Sequence, residues 1–282
     1  MRLATRLDAE ILSVDSMQVY RGMDIGTAKP PAADRQTVPH HMLDLVEPED
    51  EYSVAEFQRS ARAAIEAIRA RGRSVLIVGG SGLHFRAVVD PLEFPRYDPA
   101  TRSEVEALDP TAARAELLSA DPDAGDHVDL DNPRRVARAV EILRLGEGTP
   151  SERAARPASE AVRSYRPLIP FVGVSLDPGD GLATRARRRI DRMLKAGLVD
   201  EVERLAPRLG KTASAAVGYK EMLPVVRGEA PLAHGAADVL TATLSLARRQ
   251  RTFFAKDPRI VQVPWVSVVD QRTDAVAKEF GL

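Results

Sequence analysis

The sequence constrains its fold most strongly where a helical pattern leads directly into a strand pattern. Residues 53–71 place apolar side chains at helical spacing, and Ser53 with Glu56 matches a capping box at the start of that helix. The run SVLIV at 74–78 is uniformly apolar, which is typical of a strand buried on both faces of a parallel sheet. An earlier strand is predicted at 10–14. The order strand, helix, strand predicts an α/β sheet.

Composition limits the class of protein. The chain has 282 residues, of which 44% are hydrophobic and 29% charged, as in an ordinary globular protein. The absence of cysteine excludes disulfides, thiolate nucleophiles and cysteine-based zinc sites. No apolar run approaches the roughly 20 residues needed to span a bilayer, and the N-terminus lacks a signal-peptide core, so a cytoplasmic location is expected. The net charge of −1 argues against a general polyanion binder, although arginines cluster locally.

A change in pattern predicts two structural parts. Prolines recur between about residues 91 and 165, and the segments between them are helical and rich in Ala, Arg and Glu. We therefore predict a helical domain at 91–165, inserted into an α/β core formed by 1–90 and 166–282. The core is predicted to continue with strands at 168–174 and 260–266, helices at 182–196 and 237–256, and a loop at 212–219.

Polar residues follow the first strand at its carboxyl end. The string SVDSMQVYRGMDIGTAKP at 13–30 places Asp15 where ligands bind in open α/β folds. A simpler interpretation of Asp15 is that its carboxylate caps the following turn. The glycine-rich turn at 79–82 follows the strand at 74–78, and we predict that it forms a wall of the same site.

Several separated segments together resemble the tRNA dimethylallyltransferase (tRNA isopentenyltransferase) family. The matching segments are 13–30, VGGSGL at 78–83, NPRRVARAVEI at 132–142, MLKAGLVDEV at 193–202, VGYKE from 217 and ARRQRTFF from 247. Their number and order make the resemblance specific. It implies a P-loop NTPase-like parallel sheet core with an inserted helical domain.

The resemblance also implies an activity and the residues that perform it. The family transfers a dimethylallyl group from dimethylallyl diphosphate to the exocyclic amine of the adenosine 3′-adjacent to the anticodon. Asp15 is implied as the catalytic base. The implied tRNA-binding residues are Asp15, Ser16, Met17, Gln18, Ser81, Arg134, Arg135, Val136, Ala137, Arg138, Ala215, Ala216, Val217, Gly218, Tyr219, Lys220, Arg248, Arg249 and Gln250. Nucleotide binding, Mg²⁺, the anticodon stem-loop of tRNA and a monomeric state are implied as well.

The sequence departs from the family pattern at the loop that binds diphosphate. The pattern GxxxxGK[ST], which supplies backbone N–H groups, a lysine and a metal-binding hydroxyl, is not found. Ala215, Leu244, His84 and Phe253 replace the residues usual at their positions. Two explanations are open: a start codon upstream of Met1, or a non-catalytic tRNA-binding relic of the family. A nucleotide or nucleoside kinase fits the sheet but not the string at 13–30.

Overall fold

The computed structural model describes residues 1–282 and contains five strands and fourteen α-helices. The strands are β1 (Ala9–Val14), β2 (His40–His41), β3 (Ser74–Gly79), β4 (Gly173–Asp177) and β5 (Ile260–Pro264). The helices are α1 (Arg2–Arg6), α2 (Ala32–Thr37), α3 (Val54–Ala70), α4 (Gly82–Val89), α5 (Pro99–Glu106), α6 (Pro110–Ala120), α7 (Pro133–Arg144), α8 (Pro150–Ala154), α9 (Pro157–Arg163), α10 (Leu182–Lys195), α11 (Leu198–Leu205), α12 (Tyr219–Val226), α13 (Leu232–Ala255) and α14 (Val269–Glu279). No helix combines the length and the apolar character that crossing a bilayer requires.

The chain divides into two compact units. One unit contains residues 1–88 and 170–282, and the other contains residues 89–169. The first unit holds every strand, arranged as a three-stranded sheet of order β2-β1-β3 and a two-stranded sheet of β4 and β5. All pairings are parallel, which confirms the predicted α/β class.

Helix α3 forms as its sequence predicts. Ser53 Oγ accepts the N–H of Glu56 at 3.2 Å, and the Glu56 carboxylate accepts the N–H of Ser53 at 2.8 Å. The capping box is therefore complete, and it satisfies two backbone donors that the helix start leaves unpaired. The buried face consists of Phe57, Ala61, Ile65 and Ile68. Gly72 follows the helix with a φ of +73°, a conformation that favours glycine and reverses the chain towards β3.

The burial predicted for residues 74–78 was wrong for β3. All six residues of β1 are buried, whereas β3 is partly exposed along its length and Val78 keeps 48% of its surface exposed. The difference follows from position in the sheet. β1 lies between two strands, whereas β3 is an edge strand, so its side chains lie at the margin of the layers that cover the sheet.

Several predicted boundaries shift in the structure. The strand expected at 168–174 begins only at Gly173, because the N–H groups of Leu168 and Ile169 donate to Val89 O instead of a neighbouring strand. The last strand ends at Pro264 rather than 266, and the long helix begins at Leu232 rather than 237. The predicted loop at 212–219 contains a short 3-10 turn at Ala213–Ala215.

The second unit is entirely helical. Asn132 caps α7 by accepting the N–H of Arg135 at 3.4 Å, and Pro133 occupies the first helical position, where a missing N–H costs nothing. Helices α5, α6 and α7 pack around an apolar core. Its buried members are Val105, Ala113, Leu117, Ala124, Val136, Ala139 and Val140.

Candidate active site

The carboxyl ends of β1 and β3 bring two predicted site segments together. The strands pair in register up to Val14 opposite Gly79, and the N–H of Ser81 donates to Val14 O at 3.2 Å. A Cβ atom on Gly79 would lie 2.4 Å from that same oxygen, so only glycine allows this approach. Asp15 and the turn at 79–82 therefore lie side by side, where parallel strands place ligand-binding groups.

One oxygen of Asp15 is held and the other is free. Oδ1 accepts the N–H groups of Met17 at 2.8 Å and Gln18 at 3.3 Å, which is the turn-capping arrangement expected from sequence. Oδ2 accepts no hydrogen bond from the protein. The turn thus fixes the orientation of the carboxylate and leaves one oxygen able to accept a proton. The capping interpretation and the catalytic one are compatible in this geometry.

The Gln18 side chain links the strand end to the far part of the loop. Its Oε1 accepts the hydroxyl of Ser13 at 2.9 Å, and its Nε2 donates to Thr27 O at 3.1 Å. Ser16 and Met17, between Asp15 and Gln18, are half-buried. Because both ends of its amide are bonded, Gln18 fixes the path of the loop before any substrate arrives.

His84 is a site residue that the sequence indicated only as an unusual replacement. Its Nδ1 lies 2.7 Å from the hydroxyl of Ser81, and its ring meets Phe57 edge-on with centroids 4.6 Å apart. Burial lowers the pKa of His84, and the Asp15 carboxylate opposes that shift. Ser81, His84 and Asp15 therefore form one polar cluster at this edge.

Helix α13 closes one side of the glycine turn. A Cβ on Gly80 would lie 2.3 Å from Nε2 of Gln250, and one on Gly82 would lie 2.2 Å from the ring of Phe253. Gln250, which the sequence predicted as a tRNA contact, is thus packed against the turn. Arg248 and Arg249 on the same helix are exposed, and Arg249 donates to the hydroxyl of Ser245 at 2.8 Å.

The loop between Gly22 and Thr27 is anchored by a glutamate that sequence reasoning missed. The buried Glu201 carboxylate accepts the N–H groups of Asp24, Ile25 and Gly26, each at about 3.0 Å. It also accepts the hydroxyl of Tyr219 at 2.6 Å. The family resemblance includes Glu201 in the matching segment 193–202 but implies no role for it, and acidic residues are common in a helical first turn.

Tyr219 belongs to this anchor rather than to the surface. The side chain is fully buried, and its ring fills the space where Gly26 lacks a Cβ, which would otherwise lie 2.4 Å from the ring. Burial raises the pKa of the Tyr219 hydroxyl well above its usual range, so it donates to Glu201 as a neutral group. Through Tyr219, the family segment VGYKE therefore supports the loop that follows Asp15.

A buried lysine completes the support of this loop. The side chain of Lys29 is fully buried, and its Nζ donates to Asp24 at 2.7 Å, Asp44 at 2.6 Å and Tyr20 O at 2.8 Å. The pairing with Lys29, together with Arg35, lowers the pKa of Asp44 despite its partial burial. A buried ammonium with three acceptors is fully satisfied, so the path of the chain through 20–29 is fixed.

A cleft of about 740 Å³ lies between this loop and helix α10. Its lining includes Ile25 and Pro30 from the loop and Arg189 and Arg192 from the helix. Loss of hydration lowers the pKa of Arg189, and the charge of Asp15 opposes that shift, so the guanidinium lies within electrostatic reach of the carboxylate. Helix α10 thus brings positive charge to the edge that carries Asp15.

In the helical unit, the three arginines of α7 have different environments. Arg134 and Arg135 are exposed, and their side chains contact no hydrogen-bond or ion-pair partner. Arg138 instead pairs with the fully buried Glu141 at 2.5 Å and donates to Pro95 O at 3.2 Å. The neighbouring residues Val136 and Ala137 face inward: the first is buried in the core, and the second packs partly buried against it.

The remaining predicted tRNA-binding residues differ in exposure. Ala215 and Lys220 are exposed, Val217 is half-buried, and Ala216 and Gly218 are buried. Only the exposed members of this segment offer surface to a large ligand in this structure. The tRNA contacts of the segment stay a prediction.

The residues of the site do not form a protein-built metal centre. In the whole described chain, 1–282, no three side chains of His, Cys, Asp or Glu are grouped as potential metal ligands. Asp15 is one carboxylate among backbone donors, and Asp24 and Asp44 are engaged by Lys29. The binding of Mg²⁺ implied by the family resemblance stays a prediction.

The chain is similar to other proteins over nearly its whole length. The family model described as "IPP transferase" matches residues 18–257. A tRNA dimethylallyltransferase from Acidothermus cellulolyticus is 44% identical over 285 residues, covering 98% of this chain and 86% of that protein. The crystal structure of a tRNA isopentenylpyrophosphate transferase from Bacillus halodurans is 33% identical with a TM-score of 0.70, covering 99% of this chain and 89% of that one.

A third comparison concerns the fold alone. A eukaryotic dimethylallyltransferase acting on tRNA is 24% identical, with a TM-score of 0.77. The alignment covers 99% of this chain and 74% of the eukaryotic chain. The predicted P-loop NTPase-like α/β core therefore agrees with the solved structures that this chain resembles. Given the match of the family model over most of its length, the chain belongs to the IPP transferase family.

Proposed function

We propose that this protein transfers a dimethylallyl group from dimethylallyl diphosphate to the exocyclic amine of the adenosine 3′-adjacent to the anticodon in tRNA. The observation that carries the proposal is Asp15, held by two N–H groups through one oxygen and free at the other, at the carboxyl edge of β1. The names of the relatives support the same chemistry.

The proposed step needs a proton acceptor beside the amine. The lone pair of an adenine amine is delocalised into the ring, so the amine is a weak nucleophile until it loses a proton. A bond forms between the amine nitrogen and C1 of the dimethylallyl group as the bond from C1 to the diphosphate oxygen breaks. The proton passes to Oδ2 of Asp15, and the diphosphate leaves with the electron pair.

The surroundings of Asp15 suit a nucleobase that is extruded from an RNA loop. Extrusion costs a few kcal/mol, least where the nucleotide is already unpaired. Ser81, Gln18 and the backbone of the glycine turn supply polar groups around the carboxylate, and the positive charge of Arg189 lies within electrostatic reach of Asp15. Because loop 15–30 is supported by Glu201 and Lys29, these groups are positioned before the substrate binds.

The family resemblance implies Mg²⁺, which would neutralise the charge of the diphosphate when bound. The side chains of this chain do not form a metal-ligand cluster by themselves. The residues of this chain supply the proton acceptor, the positioning of the nucleobase and the positive charge of α10.

The decisive experiment measures transfer directly. Unmodified tRNA with adenosine 3′ to its anticodon is incubated with radiolabelled dimethylallyl diphosphate and the protein, and the nucleosides are analysed by mass spectrometry. We expect prenylated adenosine from the unchanged protein. Asp15→Asn should lower the single-turnover rate by ~10²–10⁴, the usual contribution of a positioned general base, with tRNA affinity nearly unchanged.

A matched substitution and a binding assay make the test conclusive. Asp180→Asn changes an exposed aspartate in the same unit and should leave the rate unchanged. If Asp15→Asn kept more than half of the rate, Asp15 would not be the base. A protein that binds tRNA without ever prenylating it would instead be the non-catalytic tRNA-binding form of the family.

A further inference from the structure

The helical unit contains a cavity that the proposed reaction does not use. It has a volume of about 470 Å³ and is formed entirely by residues between 91 and 163. That volume is within the range of about 300–1,000 Å³ that is usual for small-molecule sites. Its apolar lining includes Leu92, Val128, Ala139, Ile142, Ala158 and Val162.

Arg153 gives this cavity a distinctive polar group. The guanidinium nitrogen Nη1 of Arg153 is buried and has no hydrogen-bond partner. A buried, charged donor without an acceptor is costly, and native structures leave few such groups unsatisfied. The cost disappears if an acceptor enters the cavity and bonds to the guanidinium.

The charges around Arg153 favour a negative acceptor. Burial lowers the pKa of Arg153, and the positive charges of Arg156 and Arg138 lower it further, while Glu93 and Glu147 only partly offset them. Arg156 and Glu93 are already paired at 3.2 Å. Arg138 is likewise paired, with Glu141 at 2.5 Å. Of these three arginines, Arg153 is therefore the one whose charge has no ion-pair partner.

Hydrogen bonds hold the wall that carries Arg153 in place. Arg153 O accepts the hydroxyl of Ser159 at 2.6 Å, and Ala154 O accepts from the Arg163 guanidinium at 2.8 Å. These bonds fasten α8 to α9, so the position of Arg153 does not depend on a ligand. Arg163 is also paired with Glu160 at 2.7 Å, and Asp126 at the rim is exposed to solvent. Neither of these groups neutralises the interior of the cavity.

We propose that this cavity is a binding site for a small amphipathic anion, in which Arg153 holds a carboxylate or phosphate group and the apolar lining holds a hydrocarbon body. The site is separate from the proposed prenyl transfer, because all of its residues belong to the helical unit. A carboxylate and a phosphate monoester share the acceptor oxygens that a guanidinium binds through two N–H groups.

Binding of matched probes to the full chain tests the proposal. Isothermal titration calorimetry compares octanoate, octyl phosphate, 1-octanol and inorganic phosphate. We expect octanoate or octyl phosphate to bind at least tenfold more tightly than 1-octanol and inorganic phosphate. The tighter of these two anions identifies the headgroup. Binding should also raise the melting temperature, since a ligand of the folded state stabilises it.

Substitutions locate the site. Arg153→Met keeps a long side chain without charge and should remove the preference for the anions over 1-octanol. Ala158→Leu keeps Arg153 but fills part of the cavity, and it should weaken every probe that carries the octyl chain. Arg166→Met changes an exposed arginine outside the lining and should alter nothing.

Circular dichroism establishes that each variant is folded, so that lost binding reports on the site. Equal affinities for octanoate and 1-octanol would overturn the proposal. So would unchanged anion binding by Arg153→Met, or inorganic phosphate that binds as tightly as octyl phosphate.

Discussion

Loop 15–30 and helix α7 both carry several charged and polar side chains, but they arrange them in opposite ways. In the loop, Asp15 and Lys29 each bond to two or more partners, and Glu201 from α11 accepts three of its backbone N–H groups. On α7, Arg134 and Arg135 extend into solvent with no partner. The loop is organised before ligand binding, whereas these two arginines are not.

The proposed function accounts for the contrast by what each region would have to recognise. A proton acceptor must lie within hydrogen-bond distance of one atom, so its supports are fixed in advance. Phosphates along an RNA backbone are numerous and similar, so a flexible arginine can reach one of them without a fixed partner. The arrangement of Arg138 differs, because it neutralises the buried Glu141 inside the helical unit.

The largest effect is expected at the anchor of the loop. Glu201→Ala leaves three N–H groups and the Tyr219 hydroxyl without their acceptor, and it should lower the free energy of unfolding by more than about 3 kcal/mol. Glu203→Ala removes an exposed carboxylate from the same helix and should change it by less than about 0.5 kcal/mol. Urea titrations of both variants measure the difference. Equal stabilities would mean that Glu201 does not anchor the loop.

A smaller effect should separate the arginines of α7. Arg138→Gln removes one of the two arginines that form ion pairs with the buried Glu141. It should cost about 2 kcal/mol of unfolding free energy, because Arg102 remains 3.2 Å from that carboxylate. Arg135→Gln on the same helix should have almost no effect on stability. Thermal unfolding of the two variants side by side tests whether Arg138 and Arg135 differ in their contribution to stability. An equal loss of stability in both variants would contradict the prediction.

Replacing the exposed arginines Arg134 and Arg135 should have the smallest effect on stability. Their substitution should instead change the binding of tRNA. If Arg134 and Arg135 contact tRNA phosphates, replacing both with Gln should flatten the dependence of log K on log salt by up to ~2, about one per lost contact. The unfolding free energy should not change. Filter binding between low and moderate salt gives the slope. An unchanged slope would make these arginines ordinary solvated surface.

Residue patterns alone were enough to predict several local elements and the family. The capping box at Ser53, the proline start of α7 and the strand β1 followed from residue patterns, because capping and periodicity act over a few residues. The strings at 13–30 and 78–83 also indicated a shared site, since carboxyl ends of parallel strands meet at one edge.

Which polar groups bond inside the protein depends on its tertiary structure. Glu201 and Tyr219 come together with Gly26 from the other end of the chain, and Arg138 turns to Glu141 although Arg134 and Arg135 look equivalent in sequence. The partial exposure of β3, against the burial of β1, also depends on strand order. Such pairings depend on distances between residues far apart in the chain, and no local pattern encodes those distances.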